Sequence, residues 1–296
     1  MKIIGNKNNL SIMENVSNGG KLSHAYLFVG PKHSGKSLFG HLFAGQLLCE
    51  ETTAPCGKCF NCRLFEAGNH PDFLVYDSEE AIGVDEIREL IHFLDLKPYQ
   101  SKLKVALITH FERLSTQAAN SFLKTLEEPA ENTILLLTAE NMNNLLPTII
   151  SRSQVVRFQA VKKEEIAEEL ANNMNFDKGI IEDAVRLSGK RIGLAIDFCE
   201  HPEKIIEAKD FLEKAEKILA EKSYAEKILF AENLSKEKTD FHKSLDLLEV
   251  FYKERLMISE PLKFCRILDK IAKSKDCLYR NGNIRLIAES LMLLEN

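Results

Sequence analysis

The sequence predicts an α/β protein in which a parallel sheet with helices on both faces is followed by helices alone. Between residues 25 and 158, short apolar runs alternate with stretches of helical periodicity, which is typical of a parallel sheet. A phosphate-binding motif follows the first of these runs in a strand–loop–helix context. After about residue 160 the β-rich runs vanish, and Leu, Ala, Lys and Glu recur at helical spacing.

The predicted strands of the sheet are Ala25–Val29, Phe73–Tyr76, Val105–Ile108, Ile134–Leu137 and Val155–Phe158. Between the third and the fourth strand, Ser115 is the predicted N-cap of a helix that Pro129 ends. The apolar face predicted for that helix comprises Ala118, Ala119, Phe122, Leu123 and Leu126.

The helical half divides near His201-Pro202, because the residue before a proline resists the α conformation. We therefore predict a core over residues 1–160, a small helical domain over 161–203 and a helical bundle over 204–296. The bundle ends on a helix whose predicted apolar face is Ile284, Leu286, Ile287, Leu291 and Leu294.

The composition is that of a protein with sizeable cores and no strong overall attraction to nucleic acid. Of the 296 residues 45% are hydrophobic, and the formal net charge is −5. No apolar run approaches the ~20 residues of a membrane span, so we expect a cytoplasmic protein without a membrane partner. Four of the seven cysteines are clustered, which favours a reducing compartment and one metal site over a set of disulfides.

A complete phosphate-binding loop stands between the first predicted strand and the helix that follows it. Gly30, Pro31, Lys32, His33, Ser34, Gly35, Lys36 and Ser37 fit the pattern G-x-x-x-x-G-K-[ST]. The glycines allow backbone N–H groups to surround phosphate oxygens, Lys36 reaches the terminal phosphates and Ser37 ligates magnesium. We therefore predict that ATP or ADP binds here; a glycine-bearing turn without a ligand is the alternative.

The strand that carries the catalytic carboxylates of phosphate-loop enzymes lacks them in this sequence. An Asp at its end normally holds magnesium, and a nearby carboxylate or Gln positions the attacking water. Thr109 and His110 stand at those positions, and the nearest acid is Glu112. We expect weakly held Mg²⁺ and little or no intrinsic ATPase activity, unless Glu112 or an acid from elsewhere substitutes.

The clustered cysteines, Cys49, Cys56, Cys59 and Cys62, fall within the segment 49–62. Four thiolates suit tetrahedral Zn²⁺, and a closed shell without a position for water indicates a structural site. A C-x-x-C-x-x-C run also occurs in iron–sulfur proteins, but the Cys-Pro that follows it there is absent. His70 is an alternative ligand, although His70-Pro71-Asp72 is more typical of a turn into the next strand.

Charged residues mark two other chain segments. Glu127 and Glu128 lie in the last predicted turn before Pro129, where the helix dipole disfavours anions. Two explanations stay open: solvation, or a basic group that approaches from elsewhere, including another subunit. Arg152 lies in a turn that follows Pro147, and such an arginine alone carries little weight.

Together these segments resemble the AAA+ clamp-loader family of bacterial DNA polymerase III, and most closely its delta-prime branch. The similarity rests on residues 23–28, the phosphate loop, the four cysteines, and residues 70–72, 120–129 and 146–152. Near the C-terminus, residues 283–286 with Glu289 are similar to the family's last helix. The similarity is dense through Phe158 and thin beyond it.

This resemblance implies an AAA+ core, a small helical lid and a helical collar that joins a five-subunit ring. The implied partners are gamma/tau-like ATPase subunits and a delta subunit, and the ring loads a sliding clamp onto primer-template DNA. Arg152 inherits the role of a trans arginine finger in a neighbouring ATP site, although Ser153 replaces the family's Cys. Lys190 and Arg191 lie near where such ATPases place a sensing arginine.

The resemblance also implies that this chain is the stationary partner of the motor subunits, because those subunits carry an acidic pair where Thr109 and His110 stand. Two rival interpretations stay open. One is a hydrolytically active motor subunit with an unconventional acid, and the other is a zinc-dependent nucleic-acid-binding protein with a vestigial phosphate loop.

Overall fold

The computed structural model describes residues 3–51, 54–77, 82–173, 176–221, 223–236, 238–256, 261–279 and 282–292. The chain forms two compact units. Residues 1–165 and 191–193 make up the first unit, and residues 166–190 and 194–296 make up the second. The division of the helical half into a lid and a collar stays a prediction.

The first unit contains a five-stranded parallel sheet with helices on both faces, which confirms the predicted fold class. Its elements are α1 (Lys7–Ser17), β1 (Ala25–Val29), α2 (Lys36–Leu48), α3 (Phe60–Glu66), β2 (Phe73–Tyr76), α4 (Val84–Asp95), β3 (Lys104–Ile108), α5 (Thr116–Glu127), β4 (Thr133–Ala139), α6 (Pro147–Ser151) and β5 (Gln154–Arg157). The strand order is β2-β3-β4-β1-β5, and each neighbouring pair is parallel.

Successive residues of the strands face two separate cores, because side chains alternate across a strand. Leu27 and Leu137 lie in a core with residues of α4, α5 and α6, whereas Phe28 and Leu136 lie in a core with residues of α1 and α2. Every residue of β1, β3 and β4 is buried, as expected for central strands that helices cover on both sides. The carboxyl ends of these three strands meet at one edge of the sheet.

Local signals set the ends of the helices that flank this edge. The Ser115 hydroxyl accepts a hydrogen bond from the Ala118 N–H at 3.1 Å, so the predicted N-cap of α5 is confirmed. Pro147 opens the short helix α6, where its fixed φ fits the first turn.

The described residues of the second unit form helices and their connections. These helices are α7 (Lys163–Asn173), which begins in the first unit, α8 (Lys178–Leu187), α9 (Ile192–Glu200), α10 (Pro202–Glu221), α11 (Tyr224–Leu234), α12 (Lys238–Leu256), α13 (Pro261–Tyr279) and α14 (Ile284–Met292). The break predicted at His201-Pro202 separates α9 from α10. No helix in the described parts of the chain is long and apolar enough to cross a bilayer.

The predicted apolar face of the final helix is wrong at Leu286. That side chain is 64% exposed, whereas Ala288, Leu291 and Met292 form the buried face of α14. Two residues correspond to a rotation of about 200° around a helix, so Leu286 lies on the side opposite Ala288. Leu294 lies outside the described residues.

Candidate functional site

The phosphate loop joins β1 to α2, and its backbone requires both of its glycines. A Cβ atom at Gly30 would lie 2.4 Å from the Phe158 carbonyl oxygen, so no side chain fits there. Gly35 has a φ of 88° directly before α2, a conformation that other residues rarely adopt. The Gly30 N–H donates to the Ala139 carbonyl at 3.1 Å, which ties the loop to the end of β4.

Lys36 is bonded to the loop in which it lies. Its ammonium donates to the Gly30 and Pro31 carbonyl oxygens at 2.8 and 2.7 Å, and the residue is only 8% exposed. Burial lowers the pKa of Lys36 to about 8, against the opposite effect of Glu140 and Glu112. The Lys36 ammonium, which is expected to bind phosphate, therefore already donates to two loop carbonyls. A phosphate must replace these carbonyls as the acceptor.

The end of β3 differs chemically from that of a hydrolytic phosphate-loop site. The Thr109 hydroxyl donates to the carboxylate of Asp77, and the Thr109 N–H donates to the Tyr76 carbonyl at 2.9 Å. His110 follows with a φ of 50°, and its N–H donates to the Thr138 hydroxyl at 3.2 Å. Sequence analysis missed Asp77, although the residue after β2 falls opposite Thr109 once the two strands are aligned in parallel.

Two glutamates approach the phosphate loop from neighbouring strand ends. Glu112 lies in a 3-10 turn, Phe111–Arg113, after β3, and its side chain is 1% exposed. Glu140 directly follows β4 and lies 3.5 Å from the Lys32 ammonium. The ligand atoms of His110, Glu112 and Glu140 lie within 4.8 Å of one another. Sequence analysis identified Glu112 as the nearest acid but missed Glu140.

The four predicted metal ligands come together where α2 ends and α3 begins. The Sγ atoms of Cys49, Cys56, Cys59 and Cys62 all lie within 4.8 Å of one another. The Cys49–Cys59 and Cys56–Cys62 sulfur pairs are each 3.9 Å apart. Zn–S bonds of about 2.3 Å in a tetrahedron require sulfurs about 3.8 Å apart, so the residues present fit a zinc ion.

Backbone groups orient the sulfur atoms of this cluster. The Cys59 N–H points to the Cys56 sulfur at 3.3 Å, and the Cys62 N–H points to the Cys59 sulfur at 3.4 Å. Hydrogen bonds from the N–H groups of Lys58 and Cys59 lower the pKa of Cys56 to about 7, whereas burial raises the pKa of Cys62 to about 12. The Asn61 amide donates to the Leu48 carbonyl at 3.0 Å, which ties α3 to the end of α2.

Arg152 caps the C-terminus of α6 and faces the end of α5. Its Nη2 atom is 2.8 Å from a Glu127 carboxylate oxygen, and Nη1 donates to the Thr148 carbonyl at 3.1 Å. The side chains of Arg152 and Glu127 are 34% and 48% exposed. A basic group therefore does approach the last turn of α5, and within this chain it is Arg152.

Comparison with known proteins shows the family of this chain. The family model described as DNA polymerase III, delta subunit, matches residues 5–162, more than half of the chain. The chain belongs to this family.

Two relatives of this DNA polymerase III delta subunit family member are delta' subunits. That of Bacillus subtilis is 33% identical over 250 residues, which cover 80% of this chain and 73% of that protein. That of Pseudomonas aeruginosa is 43% identical over 135 residues, which cover 44% of this chain and 41% of that protein. The resemblance to clamp-loader delta-prime subunits is thereby confirmed.

A third relative is DNA polymerase III subunit tau/gamma of Haemophilus influenzae. It is 34% identical over 183 residues, which cover 61% of this chain but 27% of that protein. The chain thus spans less than half the length of two of these three relatives. The zinc ion, the arginine finger and the stationary role stay predictions for this family member.

In this delta subunit family member, His70 serves the turn before β2. Its Nδ1 accepts a hydrogen bond from the Asp72 N–H at 3.1 Å, and its side chain is not among the clustered ligand atoms of the described residues. Asp72, which sequence analysis placed in this turn without a role of its own, accepts hydrogen bonds from the N–H groups of Tyr99, Gln100 and Ser101 at 2.6 to 2.7 Å. Burial would raise the pKa of Asp72, but these bonds outweigh it and hold the pKa below its ordinary value.

Residues 191–193 belong to the same unit as the phosphate loop. The Gly193 N–H donates to the His33 carbonyl at 2.9 Å, so the chain that opens α9 is bonded to the loop. Lys190 belongs to the second unit and has a φ of 69°. A sensing role for Lys190 or Arg191 stays a prediction.

Proposed function

We propose that this chain is a delta-prime-like, zinc-containing stator of a bacterial clamp loader. It binds ATP or ADP, hydrolyses little by itself, and supplies Arg152 to the ATP site of a neighbouring subunit. The end of β3 is the observation that carries this proposal, because Thr109 and His110 occupy the positions of the metal-binding and water-activating acids. The Thr109 hydroxyl donates to the Asp77 carboxylate, and neither Thr109 nor a neutral His110 supplies an anion.

The surroundings of Arg152 support the finger role. A guanidinium stays charged at any working pH, and its planar fork matches phosphate oxygens. Arg152 is one-third exposed at the edge of the core and is already paired with the Glu127 carboxylate. The same side chain is thus accessible to an anion presented by another subunit.

The family suggests the partners of this stator. We propose that gamma/tau-like ATPase subunits and a delta subunit assemble with it into a pentameric ring in the cytoplasm. The ring would act on a sliding clamp and on primer-template DNA. A zinc ion held by the four cysteines would stabilise the segment between α2 and α3, whose ligand spacing fits it.

Two assays test the stator role. The isolated chain should bind ADP with negligible steady-state ATP turnover. In a ring reconstituted with the clamp loader's other subunits, Arg152→Ala should slow clamp-stimulated ATP hydrolysis, with a loss of about tenfold or more at the one site that Arg152 serves. The control Arg88→Ala removes an exposed arginine from α4 and should leave the rate unchanged. Gel filtration must show intact rings, and unchanged hydrolysis in intact Arg152→Ala rings would refute the finger.

A motor subunit is the second candidate, and the carboxylates of Asp77, Glu112 and Glu140 near the strand ends favour it. Turnover of about one per second by the isolated chain would support a motor, provided that Lys36→Ala abolishes it. A contaminating ATPase would not respond to that substitution.

A further inference from the structure

A mixed set of metal-binding side chains lies beside the phosphate loop. His110, Glu112 and Glu140 come from the ends of β3 and β4, and their ligand atoms lie within 4.8 Å of one another. The Glu112 side chain is 1% exposed, so its carboxylate is buried and not in solvent. The His110 imidazole lies 3.8 Å from that carboxylate.

The two carboxylates face the loop's own cations. Glu140 lies 3.5 Å from the Lys32 ammonium, and both glutamates act electrostatically on Lys36. Two lysines and two glutamates give this region no net charge. A nucleotide polyphosphate that binds without a cation would pair with the two lysines. The two glutamates would then face its phosphate oxygens and repel them.

A buried hydroxyl in the loop points independently to a polar ligand. Ser34 is 4% exposed, and its Oγ makes no hydrogen bond with any residue in the described part of the chain. Buried hydroxyls nearly always make a hydrogen bond. The Ser34 hydroxyl is therefore available to a phosphate in the loop, or to a water that the phosphate orders.

We propose that His110, Glu112 and Glu140 bind the divalent cation that accompanies a nucleotide in the phosphate loop, in place of the acids missing from β3. This inference rests on the proposed binding of ATP or ADP. A cation at about 2.1 Å from each ligand needs ligand atoms about 3 Å apart, so the side chains must close by rotation around it. An imidazole among oxygen ligands favours Mn²⁺ over Mg²⁺.

The site makes nucleotide and metal binding mutually dependent. With the cation present, the carboxylates are neutralised and the lysines are free to bind phosphate. Without it, the carboxylates repel the polyphosphate, so removal of one carboxylate should strengthen metal-free binding and weaken the response to metal. A residue with a merely structural role would not produce these opposite signs.

The test is the affinity of the intact chain for a fluorescent ADP analogue. Binding is measured in metal-depleted buffer and again with Mn²⁺. No chelator is added, because a chelator would remove the proposed zinc ion from the cysteine cluster. Wild type should bind about tenfold more tightly with Mn²⁺. Glu140→Gln should bind about threefold more tightly without metal and gain less than about threefold from Mn²⁺. Glu140 is half-buried, so this variant should fold, and the exposed Glu131→Gln should behave as wild type.

Pulsed electron paramagnetic resonance of Mn²⁺ with ADP gives a second readout. Wild type should show both phosphorus and nitrogen couplings, and His110→Gln should lose the nitrogen coupling while keeping the phosphorus coupling. Equal ADP affinity with and without metal, or a Glu140→Gln variant that responds like wild type, would overturn this site and leave nucleotide binding intact. A wild-type chain that binds no ADP under any condition would overturn both.

Discussion

The contact between Arg152 and Glu127, taken with the proposed finger role, predicts that Glu127 competes with a neighbour's nucleotide for the Arg152 guanidinium. The two side chains meet at 2.8 Å, and a phosphate that binds the guanidinium must displace or tolerate this carboxylate. Because the side chains are 34% and 48% exposed, the pair belongs to the surface class, worth about 0.2–1 kcal/mol. Divided by an RT of about 0.59 kcal/mol, that range corresponds to about 1.4- to 5-fold in an equilibrium constant.

Glu127→Gln should therefore raise, by about 1.4- to 5-fold, the apparent ATP affinity of the neighbouring site to which we propose that Arg152 contributes. The measurement is ATP hydrolysis by reconstituted rings as a function of ATP concentration. Glu128→Gln is the matched control, since it removes the adjacent exposed carboxylate. Folding stability should change little, because the lost ion pair is offset by removal of an anion from the last turn of α5.

Two results would each refute competition between Glu127 and the neighbour's nucleotide. If Glu127→Gln slowed the ring as strongly as Arg152→Ala, the carboxylate would orient the guanidinium instead of competing for it. If Glu127→Gln and Glu128→Gln behaved alike, the contact would have no role in the ring.

Three further predictions concern the metal, the loop lysine and the turn before β2. Elemental analysis should find one zinc per chain, and its removal should lower the melting temperature by several degrees; bound iron would contradict the assignment. ADP affinity should fall about tenfold between pH 7 and pH 9, because phosphate binds the charged form of Lys36, whose pKa of about 8 leaves it mostly neutral at pH 9. A flat pH profile, or the same profile in Lys36→Ala, would refute this. Asp72→Asn should lower the free energy of unfolding by about 2 kcal/mol at pH 7 in urea titrations. Because the Asp72 pKa is depressed on folding, its contribution is present above the unfolded pKa and is lost as the pH falls through the folded one, so the loss at pH 3 should be smaller.

Features that depend on local sequence were predictable. The central strands are buried on both faces and appear as unbroken apolar runs, and the loop conformation follows from where Gly30 and Gly35 stand. The cysteine cluster follows from the short spacing of its ligands, since Cys59 both caps α3 and places Cys62 one turn later.

Features that depend on strand register were not predictable. Asp77 meets Thr109 only because β2 and β3 align Tyr76 with Ile108, residues that are far apart in the sequence. Glu140 reaches Lys32 because β1 and β4 are neighbours, which no local pattern encodes. The contact of Arg152 with Glu127 likewise needs the packing of α6 against α5, although the unfavourable helix end hinted at a cation.

The two cores of the sheet divide its tasks between its faces. The core shared with α1 and α2 includes Leu48 and contacts Phe65, so it supports the phosphate-loop helix and the cysteine cluster. The opposite core includes Leu126 and Ile149, which anchor the helices that carry Glu127 and Arg152. Substitutions that loosen one face should therefore leave the other intact, so that a lineage can lose nucleotide binding while it keeps the proposed finger Arg152.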